Sequence, residues 1–527
     1  MKTKRYIIKS VFILCLLSIT ILPLFSVIFT LDLNAIQYVF NDDKFRTSIA
    51  NSIIYSSISS IICVALALMC AMMLLQLPKK LRPKFAFALT MPLLVPSLSI
   101  GLGLKFMVGK NGMLDKIFGL QDATLGFGTL IVCSVVCLFP TAFIILYDAV
   151  QYDNKQKYIV ADLSGVSKVS QFIRLTIPSI KTSIVYAFIV AFTVIFSDYG
   201  IPMETAGMIR TLPMYLYETM QSSFNYSRAA VCILLLLCPA MLSIISNAKV
   251  NVGTIEASNI VEDKQRHSCI YAIALTIVSI ALFIPQLSFM IVAFIDNFPN
   301  GMSFTIDNFT AAFNRSYGPS IAEYILNSIL LALLTAIIGT TFCFILAYSS
   351  TRLRDKLSTV IDSLSTIMLS IPGLVIGVCY VFTFAKTKGV FYNTIAILVV
   401  ANIAHMIGSP YLLAKNALLK INSNYELIGS SLGIKSISIL FKVILPNASK
   451  TIVAMFSYFF VNSLTTVTAV LFLCTYANQP LSVLITVYDK SLNYEMQAVI
   501  STILFAISIT AKLIFIKIEK QIERKVS

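Results

Sequence analysis

Residues 158–180 read YIVADLSGVSKVSQFIRLTIPSI, and residues 426–448 read ELIGSSLGIKSISILFKVILPNA. Set side by side, Gly165 falls on Gly433 and Pro178 on Pro446, with glycine and proline thirteen residues apart in both copies. In the first copy Val160, Leu163, Val166, Val169 and Phe172 recur at every third residue. Ile428, Ser431, Ile434, Ile437 and Leu440 hold the matching places in the second. That spacing predicts a short amphipathic helix in each copy. Each proline then opens the following helix, where a missing N–H breaks no bond.

The flanks of both stretches are strongly apolar. Of 527 residues, 57% are hydrophobic and 12% charged, with a mean hydropathy of +0.86. An average soluble domain carries about 25% charged residues, and so few charges could not clothe a water-facing surface of this size. A bilayer core about 30 Å thick calls for about 20 apolar residues per crossing. Twelve segments meet that length: 8–30, 49–76, 85–107, 126–149, 182–203, 229–247, 269–296, 323–349, 358–385, 391–413, 452–475 and 496–516. Backbone groups in lipid must be satisfied inside the segment, which predicts helix throughout. The first segment follows Lys2, Lys4, Arg5 and Lys9 but exceeds a signal-peptide core, and reads as a retained helix.

The duplication extends beyond the quoted stretches. The second segment of each half opens on Asn-Ser, at Asn51-Ser52 and Asn327-Ser328. The third pairs Pro96 with Gly101 and Pro372 with Gly377, at the same offset. The expected fold is therefore all-α and membrane-integral, with twelve transmembrane helices as two parallel six-helix repeats. The first repeat spans 1–248, with its loop at 150–181; the second spans 269–527, with its loop at 414–451. The polar residues 249–268 form a linker. Most of the 40 Lys and Arg fall between segments on one side, including Lys79 to Lys84 and Lys512 to Lys525. By the positive-inside rule both termini are expected in the cytoplasm of a multi-pass plasma (inner) membrane protein.

Several classes are excluded. The net charge of +16 is spread over short inter-segment clusters, with no aromatic-basic platform for nucleic acid. The eleven cysteines show no C-x-x-C or other metal-ligand spacing, and no metal or cofactor is expected. No G-x-x-x-x-G-K-[ST] phosphate loop occurs. An ATP-hydrolysing centre of that type would have to sit in another subunit, so the chain itself is not expected to be an enzyme. No stretch between segments is long enough to fold as a solute-binding domain.

The paired loops resemble the "EAA" loop of binding-protein-dependent ABC importer permeases: Glu-Ala-Ala, three residues, Gly, nine residues, Ile-x-Leu-Pro. Leu175-Thr176-Ile177-Pro178 and Val443-Ile444-Leu445-Pro446 match its end. Ile159-Val160-Ala161 and Leu427-Ile428-Gly429 replace Glu-Ala-Ala, with Asp162 and Glu426 nearby. The resemblance implies a fused two-unit permease of MetI-like type, with two cytoplasmic ATP-binding subunits and an extracellular or periplasmic solute-binding protein as partners. In that family the loop couples to the ATPase. The resemblance assigns the role to Asp162, Gly165, Val166, Val169 and Pro178, and to Glu426, Gly429, Gly433, Ile434, Ile437 and Pro446. Ile195 to Gly207 (IFSDYGIPMETAG) is similar to the iron(III) and 2-aminoethylphosphonate branches, and Thr465 to Leu473 (TTVTAVLFL) is closer to the aminoethylphosphonate branch. The implied solute is 2-aminoethylphosphonate first and iron(III) second, with thiamine-type permeases as a relative of the same fused form.

Asp198 follows Pro178 by twenty residues, and Thr466 follows Pro446 by twenty. Each fifth segment thus offers a polar group at one level. A carboxylate in a span faces a cavity or a partner, which makes Asp198, Tyr199, Thr465, Thr466 and Thr468 candidate pathway residues. The alternative is that Asp198 caps a helix end near Gly200-Ile201-Pro202 while the threonines bond their own helix. A secondary transporter with twelve helices would instead need embedded ion-coupling charges, of which Asp198 and His405 stand out in the sequence.

Overall fold

The computed structural model describes every residue except 1, 110–111, 119–124, 154–155, 224, 250–267, 315–319, 353–354, 385–392 and 527. The linker expected at 249–268 therefore lies almost wholly outside the described residues. The principal helices are α1 (Lys2–Thr30), α2 (Asp43–Leu75), α3 (Ser97–Val108), α4 (Phe127–Gln151), α5 (Ile177–Ser197), α6 (Gly200–Thr205) and α7 (Tyr226–Lys249) in the first repeat. The second holds α8 (Ser268–Val292), α9 (Ile321–Arg352), α10 (Gly373–Phe384), α11 (Ile395–Met406), α12 (Gly408–Lys420), α13 (Ser449–Thr465), α14 (Leu481–Lys490) and α15 (Tyr494–Val526). No strand occurs among the described residues.

Among the described residues eight helices are long and apolar enough to cross a membrane, or up to ten if two bent pairs each count as one span. One such pair is α11 with α12, bent by 58°. The segments expected at 85–107 and 358–385 are not single helices. The first divides into Arg82–Leu89, a 3-10 turn at Met91–Leu94, and α3. The second divides into Lys356–Ile367 and α10. Proline is the cause: Pro96 and Pro372 stand immediately before α3 and α10, and Val95 ahead of Pro96 is extended at φ −131, ψ 152. These prolines start helices rather than kink them. The fifth segments also stop short of expectation, at Ser197 and Thr465, where Asp198 (ψ 130) and Thr466 (ψ 126) leave the helical region.

Lipid gives no hydrophobic drive between helices, so their association rests on close packing of small residues and on interhelical hydrogen bonds. α2 buries Ser52, Ser56, Ser60, Cys63, Ala67 and Ala71 in one stripe. α9 buries Ser328, Ala332, Ala336, Gly339, Cys343 and Ala347 at the matching positions. Against these stripes lie α4 and α5 in the first repeat, and α12 and α13 in the second.

The two repeats interlock by exchanging their first helices. α1 lies on α10 of the second repeat, where Tyr380 Oη donates to the Ile19 carbonyl (2.6 Å). Lys9, almost fully buried, donates to Asp355 (2.7 Å) and Ser358 (2.9 Å). α8 lies on α3 of the first repeat, where Ser288 Oγ donates to the Gly103 carbonyl (2.5 Å). A Cβ at Gly103 would sit 2.0 Å from the Pro285 carbonyl oxygen, so that crossing admits only glycine. Each of the two apolar cores consequently draws side chains from both repeats.

Candidate functional site

In both repeats the broken third segment meets the end of the fifth helix, and the Asn-Ser pair at the second helix fixes that junction. Asn51 Nδ2 donates to the Arg210 carbonyl (3.0 Å), and Ser52 Oγ accepts from the Leu212 N–H (2.8 Å). In the second repeat Asn327 Nδ2 donates to the Ala477 carbonyl (3.0 Å), and Ser328 Oγ accepts from the Leu481 N–H (2.6 Å). The motif visible twice in the sequence thus performs one task twice: it anchors the chain that returns after the fifth helix.

Between these junctions lies a cavity of about 280 Å³. The first repeat contributes the break at Pro92 to Ser97, Cys137 of α4, and Asp198. The second contributes Leu369, the bend between α11 and α12 with His405 and Ser409, and Tyr458, Asn462, Thr465, Thr466 and Thr468. Four of the five residues singled out in the sequence therefore line one cavity, Asp198 from the first repeat and three threonines from the second. Tyr199 is apart from them, buried with its ring 4.4 Å from that of Tyr217.

Asp198 faces the cavity and also caps a helix. One carboxylate oxygen accepts from Ser97 Oγ (2.8 Å), the other from the Ile201 N–H (2.9 Å) at the start of α6. Both partners are neutral. The threonines bond locally: Thr466 Oγ1 donates to the Asn462 carbonyl (2.6 Å), and Thr465 to Val461 and Asn462 at 3.3 and 3.2 Å. Among the described residues neither lysine nor arginine lines the cavity. The wall offers one carboxylate, several hydroxyls, an amide and an imidazole, a set suited to weak successive contacts.

Sequence reasoning missed a second charged cluster. Lys105 Nζ of α3 lies 2.7 Å from Glu204 of α6 and 3.3 Å from Asp489 of α14, with the Tyr494 ring 5.5 Å away. Its sequence signal was a lone lysine inside the apolar run SLSIGLGLKFMV.

The paired loops are helix–turn–helix elements. Gln156–Leu163 and Lys168–Gln171 flank Gly165; Asn424–Ser431 and Ser436–Ile439 flank Gly433. The glycines have φ of +70 and +71, with open space where a Cβ would stand. Their glycine identity therefore follows from the left-handed conformation that ends the first helix. The Gly165 N–H donates to the Asp162 carbonyl (3.1 Å) and that of Val166 to Ala161 (3.0 Å); the Ile434 N–H donates to Gly429 (2.8 Å). Gly429 packs so close to Ile439 that a Cβ would fall 2.3 Å from its Cδ1. Pro178 stands at the start of α5, and Pro446 in the short turn Leu445–Asn447 before α13.

The acidic residues of the two loops are held differently. Asp162 accepts from Lys168 (2.7 and 2.8 Å) and Gln171 (2.5 Å), and these hydrogen bonds, Lys168 foremost, hold its carboxyl below the ordinary value of 3.8. Glu426 lies 3.3 Å from Arg352 at the end of α9. Apolar side chains are bared on both loops: Leu163 is 85% exposed and Leu432 70%, with Val166, Val169, Ile434 and Ile437 also exposed.

A family model described as "Binding-protein-dependent transport system inner membrane component" matches the chain twice, over residues 63–253 and 339–527. Among similar proteins is the ferric transport system permease protein FbpB of Actinobacillus pleuropneumoniae, 20% identical over 403 residues, covering 73% of this chain and 58% of that protein. The putative ferric transport system permease protein FbpB 1 of Haemophilus influenzae is 19% identical over 404 residues, covering 73% of this chain and 63% of its own length. A spermidine/putrescine transport system permease protein PotC homolog of Mycoplasma genitalium is 28% identical over 178 residues, covering 34% of this chain and 60% of that protein. The chain thus spans less than two thirds of the length of each of these relatives.

Proposed function

Since the chain belongs to the inner membrane components of binding-protein-dependent transport systems, we propose that it is a two-repeat permease of an ATP-driven solute importer. The observation that carries this is a cavity walled by equivalent junctions of both repeats, together with the same Gly-turned loop in each repeat. On this reading the repeats are 1–248 and 269–527, the linker 249–268 and both termini are cytoplasmic, and the loops at 150–181 and 414–451 each receive one ATP-binding subunit. Two copies of one subunit fit, because both loops share the turn and the bared apolar face. A solute-binding protein docks on the opposite side. Closure of the ATPases moves the loops, and the cavity exchanges access between the two faces.

Asp198, Thr465, Thr466 and Thr468 line the path in this reading, with Tyr199 behind the wall. The solute we favour is iron(III), ahead of 2-aminoethylphosphonate. A carboxylate with neutral partners in a low-dielectric wall attracts a cation and repels an anionic phosphonate group. The ferric relatives point the same way. Proteoliposomes holding the chain with its ATPase should accumulate the solute on addition of ATP and binding protein. Accumulation undiminished without the ATPase would refute the importer and favour a secondary transporter.

A further inference from the structure

Lys105, Glu204 and Asp489 lie away from the cavity and have no part in the coupling loops. Lys105 is eight residues beyond the cavity-lining Ser97 on α3, which places it about 12 Å along the helix at 1.5 Å per residue. Glu204 is six residues beyond Asp198, on α6. Both run from the cavity toward the face opposite the coupling loops. The two helices are packed as one piece: a Cβ at Gly101 would lie 3.0 Å from Glu204 Cβ and 3.4 Å from Ile201 Cα. Asp489 comes from α14 of the other repeat. The cluster therefore joins the repeats on the far side of the cavity.

We propose that Lys105, held by Glu204, latches onto Asp489 to keep the cavity shut at the face opposite the coupling loops, and that this contact parts when the solute enters. The proposal rests on the cavity being the path. The chemistry suits a contact that opens and recloses. The Glu204 side chain is fully buried, while those of Lys105 and Asp489 retain 20% and 12% exposure. When α14 withdraws, Lys105 keeps its 2.7 Å partner and no buried charge is left bare, the condition that makes rupture of a buried pair so costly. Asp489 meanwhile moves into water. The ion pair that is lost is the 3.3 Å Lys105–Asp489 contact. A second tie crosses beside it: Lys490 stands 3.4 Å from Gln221 Oε1 and 5.7 Å from the Tyr217 ring centre, and Tyr217 meets Phe472 at 5.8 Å.

The test reads access to the cavity directly and needs neither ATPase nor solute. Thr465→Cys, on a background with the cavity-lining Cys137→Ala, is treated with a membrane-impermeant thiol reagent from the face that carries Asp489. Adding Asp489→Asn should speed labelling about tenfold, the shift expected when one state loses its extra contact. Asp489→Glu should restore the parent rate. Lys105→Met, which leaves two carboxylates facing each other, should label at least as fast as Asp489→Asn. Rates within twofold of the parent for Asp489→Asn overturn the latch, as does equal acceleration from the coupling-loop face, which would report general loosening. A Thr465→Cys parent inert from the coupling-loop face counts against the cavity as the path, a failure separate from that of the latch.

Discussion

The two repeats keep the same backbone and spend different chemistry on it. Where the first stops its fifth helix, Asp198 turns the chain and caps α6. Where the second stops, Thr466 turns the chain with the same extended ψ and no helix of six residues follows. Where the first loop closes on itself through Asp162, Lys168 and Gln171, the second is tethered by Glu426 to Arg352 on α9. The shared residues are those that dictate backbone shape or hold a buried N–H: Gly165 with Gly433, Pro96 with Pro372, Ser52 with Ser328. The divergent ones line the cavity or tie each loop locally. Each repeat thus serves as a control for the other.

The sharpest break in that comparison is charge in the cavity. Asp198→Asn keeps an oxygen for the Ile201 N–H and removes the charge. With iron(III) as the proposed solute, initial uptake should fall about a hundredfold, given how strongly a single embedded charge sets the local potential. Thr466→Ala, at the equivalent place, should change uptake less than threefold by the same argument. Equal losses would show that the repeats contribute alike and that charge does not select the solute.

Next in size is the matched serine pair. Ser52→Ala and Ser328→Ala each strand a buried N–H, of Leu212 and Leu481, at a cost of about 1–3 kcal/mol. Both should lower the thermal midpoint in detergent by similar amounts. A loss confined to one repeat would mean that the other junction is held by its neighbours instead. Gly165→Ala and Gly433→Ala should each cost about 1 kcal/mol for the left-handed backbone, equally in the two loops because neither Cβ meets a neighbour. Hydrogen exchange across each loop would measure it.

What the sequence made legible is whatever repeats or is periodic. The apolar runs, the Gly-to-Pro spacing and the Asn-Ser pair all read directly, because each encodes a local requirement: lipid contact, a left-handed turn, a buried N–H. The breaks at Pro96 and Pro372 were half legible. Proline marked the position, but the apolar run on either side reads as one helix, since hydropathy is blind to direction. The exchange of α1 and α8 between repeats was not legible, because a small-residue crossing such as Gly103 on Pro285 names neither partner. The Lys105 cluster was hidden for the same reason: Glu204 and Asp489 stand 99 and 384 positions from Lys105, and only the lone lysine hinted that a partner was needed.

The smallest effect probes the loops' own difference. The hydrogen bonds from Lys168 and Gln171 hold the Asp162 carboxyl below its ordinary 3.8. A carboxylate depressed in the folded state adds stability that is complete above the ordinary value and fades as the pH falls through the depressed one. Asp162 is largely solvent-exposed, so the contribution is modest and screened by salt. Amide exchange over Gln156–Gln171, corrected for its intrinsic pH dependence, should therefore quicken on acidification below 3.8, and more at low ionic strength. Asp162→Asn should abolish that response while leaving the turn at Gly165 in place, because the turn is held by the Gly165 and Val166 N–H groups. An acid response that survives in Asp162→Asn would assign the stiffness of the first loop to its backbone alone, and the chemical difference between the loops would then lie in the Arg352 tether of the second.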